Sequence, residues 1–263
     1  MKYALIDNTK AEASKGAKGI CPICGSELIS KCGDIKLHHW AHKGIRNCDP
    51  WWENETEWHR VWKGNFNSDW QEIILHDEIT GEKHIADVRT ENGLVIEFQH
   101  SHIQLHERNK RQDFYKNMVW VIDGTRLKRD YPRFLKGKKG FRYTEVQGQF
   151  LVDFPDECFP SAWVGSSVHV IFDFKGIEEI NNPNDWRNYL YYLFPKTNLR
   201  ESVVAILTRE SFVNNIVEGK WFKQEQQQQK EIEKLLIKNI PILPQRQSQY
   251  VLQRGRFVKR RRL

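Results

Sequence analysis

Lys83-His84-Ile85-Ala86-Asp87, Asn92-Gly93 and Val95-Ile96-Glu97-Phe98-Gln99 follow one another in a stretch of less than twenty residues. Asn-Gly is a strong hairpin signal, because a two-residue turn of the favoured hand needs positive φ at both central positions. The spacing predicts strands over 83–90 and 94–99, paired through that turn. Strand period two puts Glu97 and Gln99 on one face and Ile96 and Phe98 on the other. The same pairing brings Asp87 beside Glu97. An acid and an amide inside an apolar strand cost free energy unless they are used. The bland alternative is a hairpin whose polar face simply meets solvent.

Working outward, Gln71 to His76 reads as a further strand. Residues 53–66 read as a helix, with Glu53, Glu55 and Glu57 ahead of Trp58, Val61, Trp62 and Phe66 at spacings of three and four. Asn54 or Thr56 could cap it. Residues 104–117 predict a second helix and Met118 to Ile122 a buried strand. The order helix, three strands, helix, strand implies an α/β core.

Asp87, Glu97 and a backbone carbonyl offer hard oxygen ligands suited to Mg²⁺ or Mn²⁺, and Glu57 could add a third carboxylate. A helix Glu, a strand Asp and a strand Glu-x-Lys is the order of PD-(D/E)XK nucleases. Here Ala86 stands for the proline and Gln99 for the lysine. Gln99 carries no charge, though it could position the attacking water or the phosphate. The expected chemistry is metal-dependent hydrolysis of DNA, with Asp87, Glu97, Gln99 and Glu57 catalytic and Asp87 and Glu97 on the metal. The competing classes are a non-catalytic DNA-binding module and a structural subunit of a larger complex.

Cys21-Pro-Ile-Cys24 is a knuckle that points two thiolates at one ion, and His39-Trp-Ala-His42 supplies an HxxH partner. Cys21, Cys24, His39 and His42 would form a closed tetrahedral zinc site, which is structural. Cys32, Cys48 or His38 could replace one member. Five cysteines, four within the first 48 residues, argue against a disulfide framework.

The chain has 263 residues, and its Lys and Arg exceed Asp and Glu by 41 − 34 = 7. A basic balance favours polyanionic partners, DNA above all. No apolar run is long enough to span a bilayer, and Asp7 comes too early for a secretion signal; the expectation is a cytoplasmic protein without a membrane partner. The organisation expected is a zinc segment at 1–50, a nuclease-like core at 51–125, a region at 126–240 and a basic tail at 241–263. In the third region short strands are expected at 142–153 and 167–174, and helices at 184–193, 199–217 and 221–238. That makes it mainly helical, and it could serve as a protein-partner surface. Trp51 and Trp52 could stack on unpaired bases, though packing between zinc segment and core suits them better.

At these residues the chain resembles the CoiA-like competence protein family. The similar elements are Cys21-x-x-Cys24, His39-Trp-Ala-His42, Glu55-Thr-Glu57-Trp-His59, Trp62-Lys63, Lys83-His-Ile-Ala-Asp87, Val95-Ile-Glu97-Phe-Gln99-His-Ser101, Arg111-Gln-Asp-Phe-Tyr115 and Val119-Trp120-Val-Ile-Asp123. The resemblance runs in order over about residues 19 to 124. It implies a zinc-binding segment and a restriction-endonuclease-like core, a central mixed sheet flanked by helices. It also implies DNA handling during transformation; defence against phage is the other process such a nuclease could serve. Gln99 in the lysine position is then a family trait, and Glu57 matches the acid of the first helix. His84, His59 and Arg111 are accessory candidates. Arg108 and Arg111 would face phosphate if their helix borders the cleft, and His102, His106 and Glu107 read as surface residues.

Overall fold

The structure is a computed structural model. It describes residues 1–44, 48–51, 53–195 and 201–221, together with the backbone of 250–253 and 256–259. The chain divides into two compact units, Met1–Phe222 and Lys223–Leu263.

The Cys- and His-rich segment forms a sheet. Strands β1 (Tyr3–Ile6), β2 (Thr9–Glu12), β3 (Lys18–Ile20), β4 (Glu27–Lys31) and β5 (His39–His42) lie in the order β2-β1-β3-β4-β5, each pair antiparallel. Its core is small: Met1, Ala4, Ala13, Cys21, Leu28 and Trp40. The Trp40 indole is satisfied by Ala11 O at 2.9 Å. So few apolar side chains make a thin core, which is the circumstance in which a metal staple adds most.

The middle of the chain follows the expected order. Helix α1 (Glu57–Lys63) precedes β6 (Gln71–His76), β7 (Lys83–Arg89) and β8 (Val95–Gln99), and α2 (Leu105–Tyr115) precedes β9 (Met118–Asp123). Helix α1 is shorter than its apolar pattern suggested. Thr56 caps it in a capping box with His59, so residues 53–56 stay outside the helix. The β7–β8 hairpin closes between Thr90 and Leu94 around a loop of three residues, 91–93, in which Gly93 is at φ 79° and Asn92 is not at positive φ, so the two-residue turn expected is replaced by a longer one.

Beyond Asp123 come α3 (Asp130–Lys138), β10 (Arg142–Tyr143), β11 (Gln149–Val152), α4 (Pro155–Cys158), β12 (His169–Asp173), β13 (Tyr189–Leu193), β14 (Ser202–Thr208) and α5 (Arg209–Val217). The expectation of a mainly helical region is corrected here. Tyr189-Leu-Tyr-Tyr-Leu193 and Ser202-Val-Val-Ala-Ile-Leu-Thr208 are strands, and the helix expected from 199 begins only at Arg209. A short apolar run rich in aromatic and β-branched residues suits a strand buried on both faces, and periodicity alone does not separate it from a buried helix.

These strands join one mixed sheet of nine, in the order β10-β11-β14-β13-β12-β9-β8-β7-β6. The β8–β9 and β9–β12 pairs are parallel and the others antiparallel. Helix α2 is the crossover that a parallel β8–β9 pair requires. The boundary expected at residue 125 therefore falls inside a continuous sheet. Buried Asp173, at the end of β12, ties the far half to α1: its Oδ2 accepts the indole N–H groups of Trp58 and Trp62 at 2.9 Å each and an Arg209 N–H at 2.7 Å.

In the second unit, the backbone of β15 (Tyr250–Gln253) and β16 (Arg256–Lys259) forms an antiparallel hairpin. The helix expected over 221–238 lies, after Trp221, outside the described residues, as do Trp52 and the side chains of the basic tail.

Candidate nuclease cleft and metal cluster

Asp87 sits where β7 loses regular pairing on both sides. Toward β8 the ladder runs through Val88↔Ile96 and Arg89↔Val95 and goes no further. Toward β6, Gln71 pairs with Val88 and Ile73 with Ala86, so Glu72 and Asp87 are skipped. Glu72 holds φ at 48°, a left-handed conformation that is uncommon for a residue other than glycine and costs free energy. The two acids then take over the hydrogen bonds that the ladder drops. Glu97 Oε1 accepts the Asp87 N–H at 3.1 Å, and Asp87 Oδ2 accepts the Phe98 N–H at 3.0 Å.

Around this pair lies a cleft lined by Asp49, Glu53, Glu55, His59, Lys63, Glu72, Asp87, Glu97, Phe98 and Arg111, among others. Burial, with Asp87 beside it, pushes the Glu97 carboxyl up to about 8, against the pull of Arg111, whose Nη1 lies 3.3 Å away. Burial also raises Glu53. Lys63, only 3% exposed at its side chain, has Nζ 2.5 Å from Glu55, 3.2 Å from Glu72 and 3.8 Å from Asp87. Burial alone would lower its ammonium, but Glu72, Asp87 and Glu55 outweigh it and hold it above its ordinary value. Glu72 falls to about 2 despite its burial, through Lys63, the chain's amino terminus and the Lys2 and Tyr3 amides it accepts. That contact pins β1 to the nine-stranded sheet.

The expected site residues separate into those the fold gathers and those it does not. Asp87 and Glu97 meet, as the hairpin required. Gln99 is buried but does not line the cleft; it lines the adjoining groove, its Nε2 donates to Glu53 of the cleft and to Ser101 O, and its Oε1 has no partner among the described residues. Glu57 does not line the cleft. It is exposed and borders a separate groove with Ile35, Lys36 and Leu37. The reason is helical geometry: at about 100° per residue, Glu57 points some 200° away from His59, which does face the cleft. The carboxylates that α1's lead-in contributes are Glu53 and Glu55, two residues apart on non-helical backbone. The signal for them was the choice of Thr56, not Asn54, as the cap.

Among the accessory candidates, His59 is buried and held below its ordinary pKa by that burial. Its Nδ1 accepts the Thr56 N–H at 3.2 Å, which leaves Nε2–H to donate to Phe98 O at 3.0 Å. His84 stands outside the cleft lining. It bonds Asp49 at 3.0 Å and stacks on Trp51, with ring centroids 3.2 Å apart. Trp51 thus packs on the core, edge-on to Phe114 and Tyr115. Arg111 enters the cleft, whereas Arg108 is held by the carbonyls of Ala162 and Gly165.

The metal cluster differs from the expected set in one member. Cys21, Cys24, His42 and Cys48 bring one ligand atom each to within 4.8 Å of one another. Cys21 Sγ is 4.0 Å from Cys48 Sγ, and His42 Nε2 is 3.4 Å from Cys24 Sγ and 3.5 Å from Cys48 Sγ. Zn–S bonds of about 2.3 Å put tetrahedral ligands roughly 3.8 Å apart, so the set fits zinc. His39 is excluded because the HxxH segment is strand β5. Residues three apart on a strand face opposite ways, and His39 Nδ1 is 2.8 Å from Leu37 O instead. Burial pushes the Cys21 thiol up to about 11, while hydrogen bonds from Ser26 and His42 hold Cys24 near 6 against the opposing effect of its burial. Among the described residues, no carboxylate group in the cleft forms a comparable cluster of three or more.

No described helix is long and apolar enough to cross a membrane. Residues 5–50 match the family described as Competence protein CoiA, N-terminal domain, a segment that holds all four members of the cluster. Competence protein CoiA of Bacillus subtilis (strain 168) is 27% identical over 143 residues, which are 50% of this chain and 38% of that protein. The match thus spans well under half of that relative's length. No solved structure matches the chain.

Proposed function

We propose that this CoiA-like chain is a metal-dependent nuclease with a restriction-endonuclease-like core, which hydrolyses DNA phosphodiester bonds in the cleft around Asp87 and Glu97. The observation that carries the reading is the juxtaposition of these two acids where β7 leaves its neighbours, with Glu97 accepting the Asp87 N–H and Asp87 accepting the Phe98 N–H. Two carboxylates with backbone held open around them, one raised to about 8 by burial and by the other, amount to a site waiting for positive charge.

Asp87, Glu97 and the Phe98 carbonyl are the hard donors that would hold Mg²⁺ or Mn²⁺. When bound, such an ion would lower the pKa of a water and neutralise charge developing on the phosphate. The chain's own groups do the rest. Gln99 stands outside the cleft lining and acts through Glu53, whose carboxylate its Nε2 holds in the cleft. The positive charge that PD-(D/E)XK sites carry at the position of Gln99 comes from α1 instead, on Lys63 beside Asp87. Arg111 balances Glu97. His59, neutral, fixes Phe98 O rather than taking a proton.

One observation favours a second reading, a DNA-binding module without turnover. Glu55, Glu72 and Glu97 are already paired with Lys63 or Arg111, so their charge is largely answered within the chain. One experiment separates the two: single- and double-stranded DNA incubated with the protein and Mg²⁺ or Mn²⁺. Cleavage lost in Asp87→Asn and Glu97→Gln supports the nuclease; binding with no cleavage supports the module. The zinc cluster and the β1–Glu72 contact give the N-terminal sheet a structural part in either case. The process served is DNA processing, in competence or in defence against phage, inside the cytoplasm.

A further inference from the structure

We propose that a second groove, at the carboxyl ends of β8 and β9, binds the phosphodiester backbone of the DNA strand flanking the scissile bond. The proposal rests on the nuclease reading of the neighbouring cleft.

The groove is lined by the residues that leave β8, Gln99 to His102, and by those that leave β9, including Asp123, Arg126 and Arg129, with Arg133 on α3. Parallel strands joined by a crossover open a crevice at their carboxyl ends, and ligands of open α/β sheets bind there. Here the crevice adjoins the cleft. Gln99 lines the groove, while its partner Glu53 lines the cleft and also accepts the Ser101 N–H at 3.3 Å. A strand leaving the acids would pass over Gln99 and Ser101.

Charge decides what the groove would hold. Its two acids are engaged within the chain: Asp123 accepts from His100 Nδ1 at 2.7 Å and from Thr125, and Asp130 accepts from Arg133 at 3.1 Å. The Arg126 and Arg129 side chains are exposed and make no hydrogen bond or ion pair among the described residues; both act on Asp130 only from a distance. The charge left facing solvent is therefore guanidinium, whose planar donor fork matches phosphate oxygens. Trp163 is buried and offers bases no stacking face; the other rings of the lining are His100, held by Asp123, and the exposed His102. Recognition through phosphates alone predicts binding that is insensitive to sequence and sensitive to salt.

The test is fluorescence anisotropy with a labelled oligonucleotide of about 12 nucleotides, single-stranded and as a duplex. It is done without Mg²⁺ or Mn²⁺, so that cleavage is not read. Arg126→Ala/Arg129→Ala is compared with the wild type and with Lys136→Ala/Lys139→Ala, which removes equal charge from exposed positions outside the groove lining. The arginine pair should lower affinity roughly tenfold and flatten the slope of log K against log salt by about 1.4 for a single strand. The lysine pair should do neither, and the melting temperatures should agree. Equal binding by the arginine variant, equal loss in the lysine variant, or no binding by the wild type would overturn the proposal. A chain that binds through the two arginines yet cuts nothing upholds the groove and sinks the nuclease reading instead.

Discussion

Glu97 Oε1 accepts the backbone N–H of Asp87 at 3.1 Å, so one acid of the pair completes the main chain of the other. Fold and chemistry meet at that bond, and conservative and truncating substitutions of Glu97 should part company. Glu97→Gln keeps an acceptor for the amide. Glu97→Ala leaves the Asp87 N–H without its acceptor and takes one partner from Arg111, which keeps Glu107 and the Trp51 carbonyl, at a cost of about 1–3 kcal/mol. Urea denaturation of the two variants checks this; equal destabilisation would contradict it.

The raised carboxyl also has a pH signature. Glu97 lies above its ordinary 4.5, at about 8, in the folded chain. Its contribution to stability is fully present below about pH 4.5 and is lost as pH rises through about 8. Without Mg²⁺ or Mn²⁺, the wild type should therefore lose stability relative to Glu97→Gln between about pH 4.5 and about pH 8, by a few kcal/mol at most. A difference between the two that does not change with pH would show that folding does not raise the Glu97 carboxyl.

The metal cluster predicts about one zinc per chain, with Cys21, Cys24, His42 and Cys48 as its ligands. Metal analysis of Cys48→Ser should find the zinc diminished or lost. His39→Ala should retain it. The reverse outcome would restore the HxxH set and contradict the geometry of β5.

The hairpin was legible because Asn92-Gly93 and the alternation around Glu97 each fix it locally. The cluster was legible in its knuckle and misread in its fourth ligand, since a spacing of three serves one ion from a helix or turn but not from a strand. The strands at 189–193 and 202–208 were misread because aromatic and aliphatic runs of that length fit either buried element. In the sequence Lys63 stands out only in the Trp62-Lys63 element of the resemblance, with no role attached to it. What makes it a cleft residue is Glu72, brought in by β6 at a skipped ladder position, which local sequence pattern does not encode.

Asp173 supplies a test of the assembled fold. It accepts both indole N–H groups of α1 and a guanidinium from α5. Asp173→Ala should cost about 3–5 kcal/mol, because buried donors lose their acceptor together. Thermal melting followed by tryptophan fluorescence would report it; a loss under about 1 kcal/mol would mean the hub is not what joins the two halves of the sheet.

The central claim is that Asp87 and Glu97 form a metal-dependent DNA-cleaving pair. Its most direct measurement is cleavage of labelled single- and double-stranded DNA by the zinc-loaded full chain with Mg²⁺ or Mn²⁺, beside Asp87→Asn and Glu97→Gln variants whose folding is verified. The account predicts cleavage by the wild type that EDTA stops and that each substitution lowers by roughly a hundredfold or more. Cleavage unchanged in either variant, or none by the wild type under any of these conditions, would contradict it.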